Sequence, residues 1–167
     1  MPEECLSDLT LQDRLPHNHC FGCGPHNKGG LNLKSYWTGQ GPSVARFSPA
    51  PHHCSAPTHF VNGGIIATLI DCHSICTAWA AAYLEEDRSI GSEPGRYFAT
   101  GTLEIDYRRP TPMDAVLELE AEIVERLGSK YLLECRLSAA GKLCAVGRVE
   151  AVPVPSSWMG LSAGTGP

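Results

Sequence analysis

Basic residues are in short supply. The 167-residue chain carries 13 Lys and Arg against 18 Asp and Glu, a formal charge of −5. That balance argues against a broad surface tracking nucleic-acid phosphates, although a local basic cluster still suits one anionic ligand. Export is not expected, because Met1 to Leu11 is acidic and polar, with no basic region leading into an apolar one. Nor is a membrane span expected: the uncharged run from Cys72 to Leu84 is too short, and extending it backwards brings in Asp71. The length suffices for one domain with a single core and is short for two.

A second close cysteine pair is lacking as well. Cys20-x-x-Cys23 stands alone, with His17, His19 and His26 nearby and His52, His53 and Cys54 further on as partners that could complete a tetrahedral zinc site. We read the segment instead as a glycine-shaped loop holding small buried thiols, with no metal and no cofactor. Of the eight cysteines, Cys72, Cys76, Cys135 and Cys144 fall in apolar periodic stretches, where a reduced thiol serves as a small hydrophobe. A reduced, cytoplasmic protein is expected.

What the chain does have is one long apolar segment with a carboxylate inside it. Asn62-Gly63-Gly64-Ile65-Ile66-Ala67-Thr68-Leu69-Ile70-Asp71 opens on paired glycines and sets Asp71 among Ile, Leu and Ala. A carboxylate stripped of much of its water is either paired structurally, here with His73 or a backbone amide, or kept for chemistry. At a helix start the first N–H groups lack intrahelical partners and can bind a carbonyl oxygen. The alternative for the glycines is close helix packing with no ligand.

The periodicities place these residues. The first thirty positions are broken by Pro16, Pro25 and several glycines. Leu31 to Trp37 and Ser43 to Ser48 alternate as a strand pair across Gly39 to Pro42, and a polar loop runs from Pro49 to His59. Gly63 to Leu84 is the one long helix, apolar on nearly every side and so expected to be buried nearly all round. Four strands follow, Tyr97–Tyr107, Ala115–Arg126, Tyr131–Ala139 and Leu143–Val152, expected as a meander, with a disordered tail after Pro153. An antiparallel sheet of five or six strands curled around a central helix, α+β in class, results. Within the first of these four strands, alternation puts Thr100 opposite Leu103, Ile105 and Tyr107, and a bulge at Gly101 would re-aim it.

In element order, in the Asn62 to Asp71 segment and in Thr100-Gly101-Thr102-Leu103-Glu104-Ile105-Asp106-Tyr107-Arg108-Arg109-Pro110, the chain resembles the hotdog-fold acyl-CoA thioesterases of the PaaI-like group. The resemblance covers about Asn27 to Val154, and Cys20 to Asn27 is similar to a leader of some members. Boundaries follow: residues 1–26 an irregular leader, 27–154 the hotdog domain, 155–167 a tail. The resemblance implies Asp71 as nucleophile or general base, Gly63 as amide donor to the thioester carbonyl and Thr100 as a hydroxyl positioning water or Asp71. It also implies a homodimer or homotetramer. Many relatives carry His at the position of Asn62, whose amide can still donate; some carry Asn or Gln near Ala56, which cannot, and His59 is a possible substitute. Gly64, His59, Arg108 and Arg109 are candidate substrate contacts, the arginines because guanidinium suits CoA phosphates; their alternative is a solvated strand end.

Thioester hydrolysis requires an attacking water or carboxylate, a stabilised oxyanion and a leaving thiolate, and preorganised N–H donors contribute about 3 kcal/mol to the second. Eight residues at 1.5 Å put Gly63 and Asp71 roughly 12 Å apart on one helix, so one carbonyl cannot touch both in one subunit. Two other functions fit parts of the pattern: a non-catalytic acyl-CoA-binding or metal-stabilised interaction module, and a hotdog hydratase or dehydratase. The last needs an acid/base partner for Asp71 at the acyl chain, and His73, two residues on, points to another side of the helix.

Overall fold

The computed structural model describes residues 10–160. The acidic start and the end of the tail lie outside them. A one-turn helix α1 (Leu11–Arg14) precedes β1 (Lys34–Tyr36) and β2 (Ser43–Phe47); helix α2 (Gly63–Leu84) follows, then β3 (Phe98–Tyr107), β4 (Leu117–Leu127), β5 (Lys130–Ala139) and β6 (Lys142–Pro153). The helix has the expected bounds. The tail is not structureless throughout, since Ser156–Met159 forms a 3-10 turn after β6.

All six strands form one antiparallel sheet in the order β1-β2-β4-β5-β6-β3. The last four are therefore not a simple meander. Only β4-β5-β6 is one; β3 pairs with β6 and lies at the sheet edge, reached from β4 by the connection through Pro110 and Pro112. Alternation identifies strands and tight turns, but the proline-bearing stretch between Tyr107 and Leu117 carries no hairpin and lets β3 pair elsewhere.

The sheet curls around α2. Ile66, Leu69, Ile70, Cys76 and Ala80 share one buried cluster with Leu117, Leu119, Leu137 and Val149. Each Leu, Ile or Val among them contributes about 1.5–3 kcal/mol on burial. By length and hydropathy α2 would suit a bilayer, but its apolar surface is mostly covered by the protein's own sheet. The leader belongs to the same packed body, for Leu11, Gln12 and Cys23 are all buried.

One polar set interrupts this core. His73 is fully buried; its Nε2–H donates to the Ser43 carbonyl at 3.1 Å, leaving Nδ1 to accept from the Ser35 hydroxyl at 2.8 Å. Gln12 closes the set from the leader, its Nε2 donating to Ser35 Oγ and its Oε1 accepting from the Ser35 amide, both at 2.7 Å. Ser43 Oγ lies 2.6 Å from Thr77 Oγ1 and 3.2 Å from His73 Nε2. His73 is thus a satisfied core histidine, and it does not pair with Asp71.

Candidate active site

Helix α2 starts where it does because Asn62 caps it. The Asn62 Oδ1 accepts from the amides of Gly64 (2.8 Å) and Ile65 (3.2 Å), satisfying two of the orphan donors of the first turn. This leaves the Gly63 N–H without an acceptor among the described residues, and the Asn62 Nδ2 likewise free to donate. Gly64, a candidate contact, has its amide occupied by the cap and offers only its open surface. The Gly63 carbonyl is held from the other side by the Tyr107 hydroxyl, which donates to it at 2.7 Å.

Packing within the chain does not explain the first glycine. A Cβ at Gly63 would come no closer than 3.5 Å to any other group, that group being the Tyr107 hydroxyl, and this is ordinary contact. At Gly64 a Cβ would meet Asn62 Oδ1 alone, at 3.0 Å. The space beside Gly63 is open to something from outside the chain.

Two turns along, Thr100 donates a 2.5 Å hydrogen bond to Asp71 Oδ1. The strand delivers this hydroxyl by breaking its own alternation. Thr100 pairs with Ala151 and Thr102 with Glu150, so Gly101 is the extra residue of a bulge. Upstream of it the even-numbered Thr100 reaches α2; downstream the odd-numbered Ile105 and Tyr107 do, packing on the core and on Gly63. Burial pushes the Asp71 carboxyl above its ordinary range, and the Thr100 hydrogen bond pulls the other way.

Gly64, Ala67, Thr68, Asp71 and Ile75 form an incompletely buried stripe spaced as one helical face, and beyond it only Gly63 and Ile65 in the first turn and Leu84 at the far end of the helix are not buried. The leader flanks it on one side, with Gly22 against Thr68 and Cys72, and β3 on the other through Thr100 and Tyr107. A cavity of 510 Å³ elsewhere, lined by Glu85, Arg96, Tyr97, Arg126 and Tyr131, includes none of the candidate residues. Asp71 itself is half-buried on its face of the helix.

Arg108 and Arg109 lie at the Gly63 end. Tyr107 just before them holds Gly63, and the Thr111 carbonyl just after them accepts from the Val61 amide at 2.9 Å. Both arginines are exposed; Arg108 is paired with Asp106 at 2.8 Å, whereas Arg109 has no ion pair among the described residues. His59 is exposed on the neighbouring loop, its ring 4.1 Å from that of Phe60 and its carbonyl accepting from Met113. Ala56 is exposed on the same loop. Tyr107 was missed as a site residue from sequence, because on unbroken alternation it and Thr100 fall on opposite faces; the glycine at the phase change is the signal that brings them together.

A family model for the thioesterase superfamily matches residues 58–145, from just before α2 into β6. A thioesterase superfamily protein of Shewanella loihica is 39% identical over 83% of this chain and 96% of its own, with a TM-score of 0.60. The chain belongs to the thioesterase superfamily, and its sheet wrapped on one helix is the hotdog fold. Two more distant structures share that fold. A Bacillus halodurans protein solved with CoA is 22% identical over 74% of this chain and 72% of its own, TM-score 0.57. A Haemophilus influenzae thioesterase is 14% identical over 74% and 79%, TM-score 0.60. A search of curated proteins finds no match.

Proposed function

We propose that this protein is an acyl-CoA thioesterase, hydrolysing the thioester to a free acid and CoA at a site shared between two subunits. The observation that carries this is the aimed pair of Thr100 and Asp71 on the open face of α2, with a free amide at Gly63 on the same helix. Membership of the thioesterase superfamily supports the reaction class, and the CoA held by the Bacillus halodurans relative supports the leaving group.

Asp71, oriented by Thr100, activates a water for attack on the thioester carbon or attacks directly. The Gly63 N–H, with the Asn62 amide beside it, receives the oxyanion, and the thiolate leaves toward the exposed arginine end. Because Gly63 and Asp71 stand roughly 12 Å apart on one helix, the two halves of each site come from different subunits. The unpaired edge strand β3 and the uncovered stripe of α2 supply a surface for the second copy, in a dimer or dimer of dimers.

Thiol release from short, medium, long and aryl acyl-CoA esters tests this. Asp71→Asn should reduce turnover by at least about a hundredfold with fold and assembly intact. No thiol release across the panel from folded, assembled wild type would reject the proposal.

A further inference from the structure

The leader's two cysteines meet a third that lies far from them in sequence. Cys20 and Cys23 close on Cys72 of α2, the residue following Asp71, and the three sulfurs lie within 4.8 Å of one another. Cys20 Sγ and Cys72 Sγ are 3.7 Å apart. A tetrahedral zinc with Zn–S bonds of about 2.3 Å holds its sulfurs about 3.8 Å from each other.

The turn that presents these sulfurs is built before any ion arrives. Asn18 is buried; its Oδ1 accepts from the Cys20 amide at 3.1 Å and its Nδ2 points at Cys23 Sγ at 3.8 Å, an acceptor strongest as thiolate. The Gly24 amide donates to the Cys20 carbonyl at 2.8 Å, and Leu33 donates to the Gly22 carbonyl at 3.0 Å, tying the turn to the sheet. A Cβ on Gly22 would stand 2.3 Å from Cys72 Sγ, so only glycine lets the turn sit this close to the helix. The His and Cys at 52–54 weighed from sequence do not join this group.

We propose that Cys20, Cys23 and Cys72 form a thiolate site for Zn²⁺ that fastens the leader to α2 beside Asp71. Three sulfurs converging on one point suit an ion, whereas a disulfide would use two and leave the third. Cys76, buried one helical turn beyond Cys72, stands outside this group of three. The ion displaces the thiol protons on binding and undergoes no redox change. Its role is structural, and the site does not depend on the thioesterase assignment.

Elemental analysis of protein purified under reducing conditions, and again after incubation with Zn²⁺ and desalting, tests it. About one zinc per chain is expected, lost in Cys20→Ser, Cys23→Ser and Cys72→Ser and kept in Cys54→Ser, a thiol outside the group. Co²⁺ added to metal-free wild type should give the intense visible bands and sulfur-to-metal charge transfer of a tetrahedral thiolate site, a readout that needs no variant to fold. Metal-free protein after zinc incubation, with every thiol titrating freely, would overturn the proposal. So would a disulfide among the three, or zinc retained by all three variants.

Discussion

Removing one hydroxyl should separate a catalytic strand from a merely structural one. Thr100→Val keeps the β-branched shape that favours β3 and deletes the donor to Asp71. A hydrogen bond to a charged group is worth about 1.5–3 kcal/mol, and at about 1.4 kcal/mol per tenfold its loss corresponds to roughly 10- to 150-fold in kcat/KM. A second readout distinguishes this from a packing defect. The bond favours the ionised carboxylate, so without it the Asp71 pKa, already raised by burial, rises further. Since Asp71 acts only when ionised, activity is lost as pH falls through its pKa, and the acid limb of the pH–kcat/KM profile should move to higher pH in the variant. Thr100→Ser, retaining the donor, should restore most of both. A Val variant within about threefold of wild type, with an unmoved acid limb, would refute the assignment of Thr100.

Three further outcomes are expected. Arg109→Ala should raise KM with little change in kcat and Arg108→Ala should do so less, because Asp106 already engages Arg108; equal KM values at low salt would make the pair a solvated strand end. Subunits carrying Asp71→Asn, reassembled with subunits carrying Gly63→Phe, should recover roughly a quarter of wild-type activity, since about half the dimers are mixed and each mixed dimer has one intact site; confirmed mixed dimers without recovery would break the shared-site geometry. Burial lowers the His73 pKa to about 4, so its contribution to stability is fully present above about pH 6.5 and is lost as pH falls toward 4, where the unfolded chain binds a proton the folded one does not. Urea midpoints between pH 7 and 5 should therefore fall in wild type more than in His73→Gln, and parallel falls would contradict this.

Helix α2 and the three-stranded meander were legible because their signals are local: a 22-residue apolar segment with an N-cap, and strands joined by turns at Gly128 and Gly141. The place of β3 was not legible, because which edge a strand joins is decided by packing across the whole sheet. Asp71 and Gly63 announced themselves as a carboxylate and a glycine pair in an apolar run. Thr100 could be aimed at Asp71 only by supposing the bulge at Gly101, which the register now displays. Tyr107 and the convergence of Cys72 on the leader depend on contacts between residues 44 to 52 positions apart, which no periodicity encodes.

Helix α2 is apolar on so many sides that burial alone would accept it at several rotations about its own axis. Hydrophobic contact is non-directional; hydrogen bonds are not. The bonds from His73 to Ser35 and Ser43, with Thr77 against Ser43, are satisfied at a single angular setting, and that setting turns Asp71 outward to Thr100. The buried histidine therefore works as an indexing pin for the carboxylate two residues before it. Replacing the whole polar set with apolar side chains of matching shape would leave the helix enclosed but free to slip, so that alignment of the site is lost before stability is.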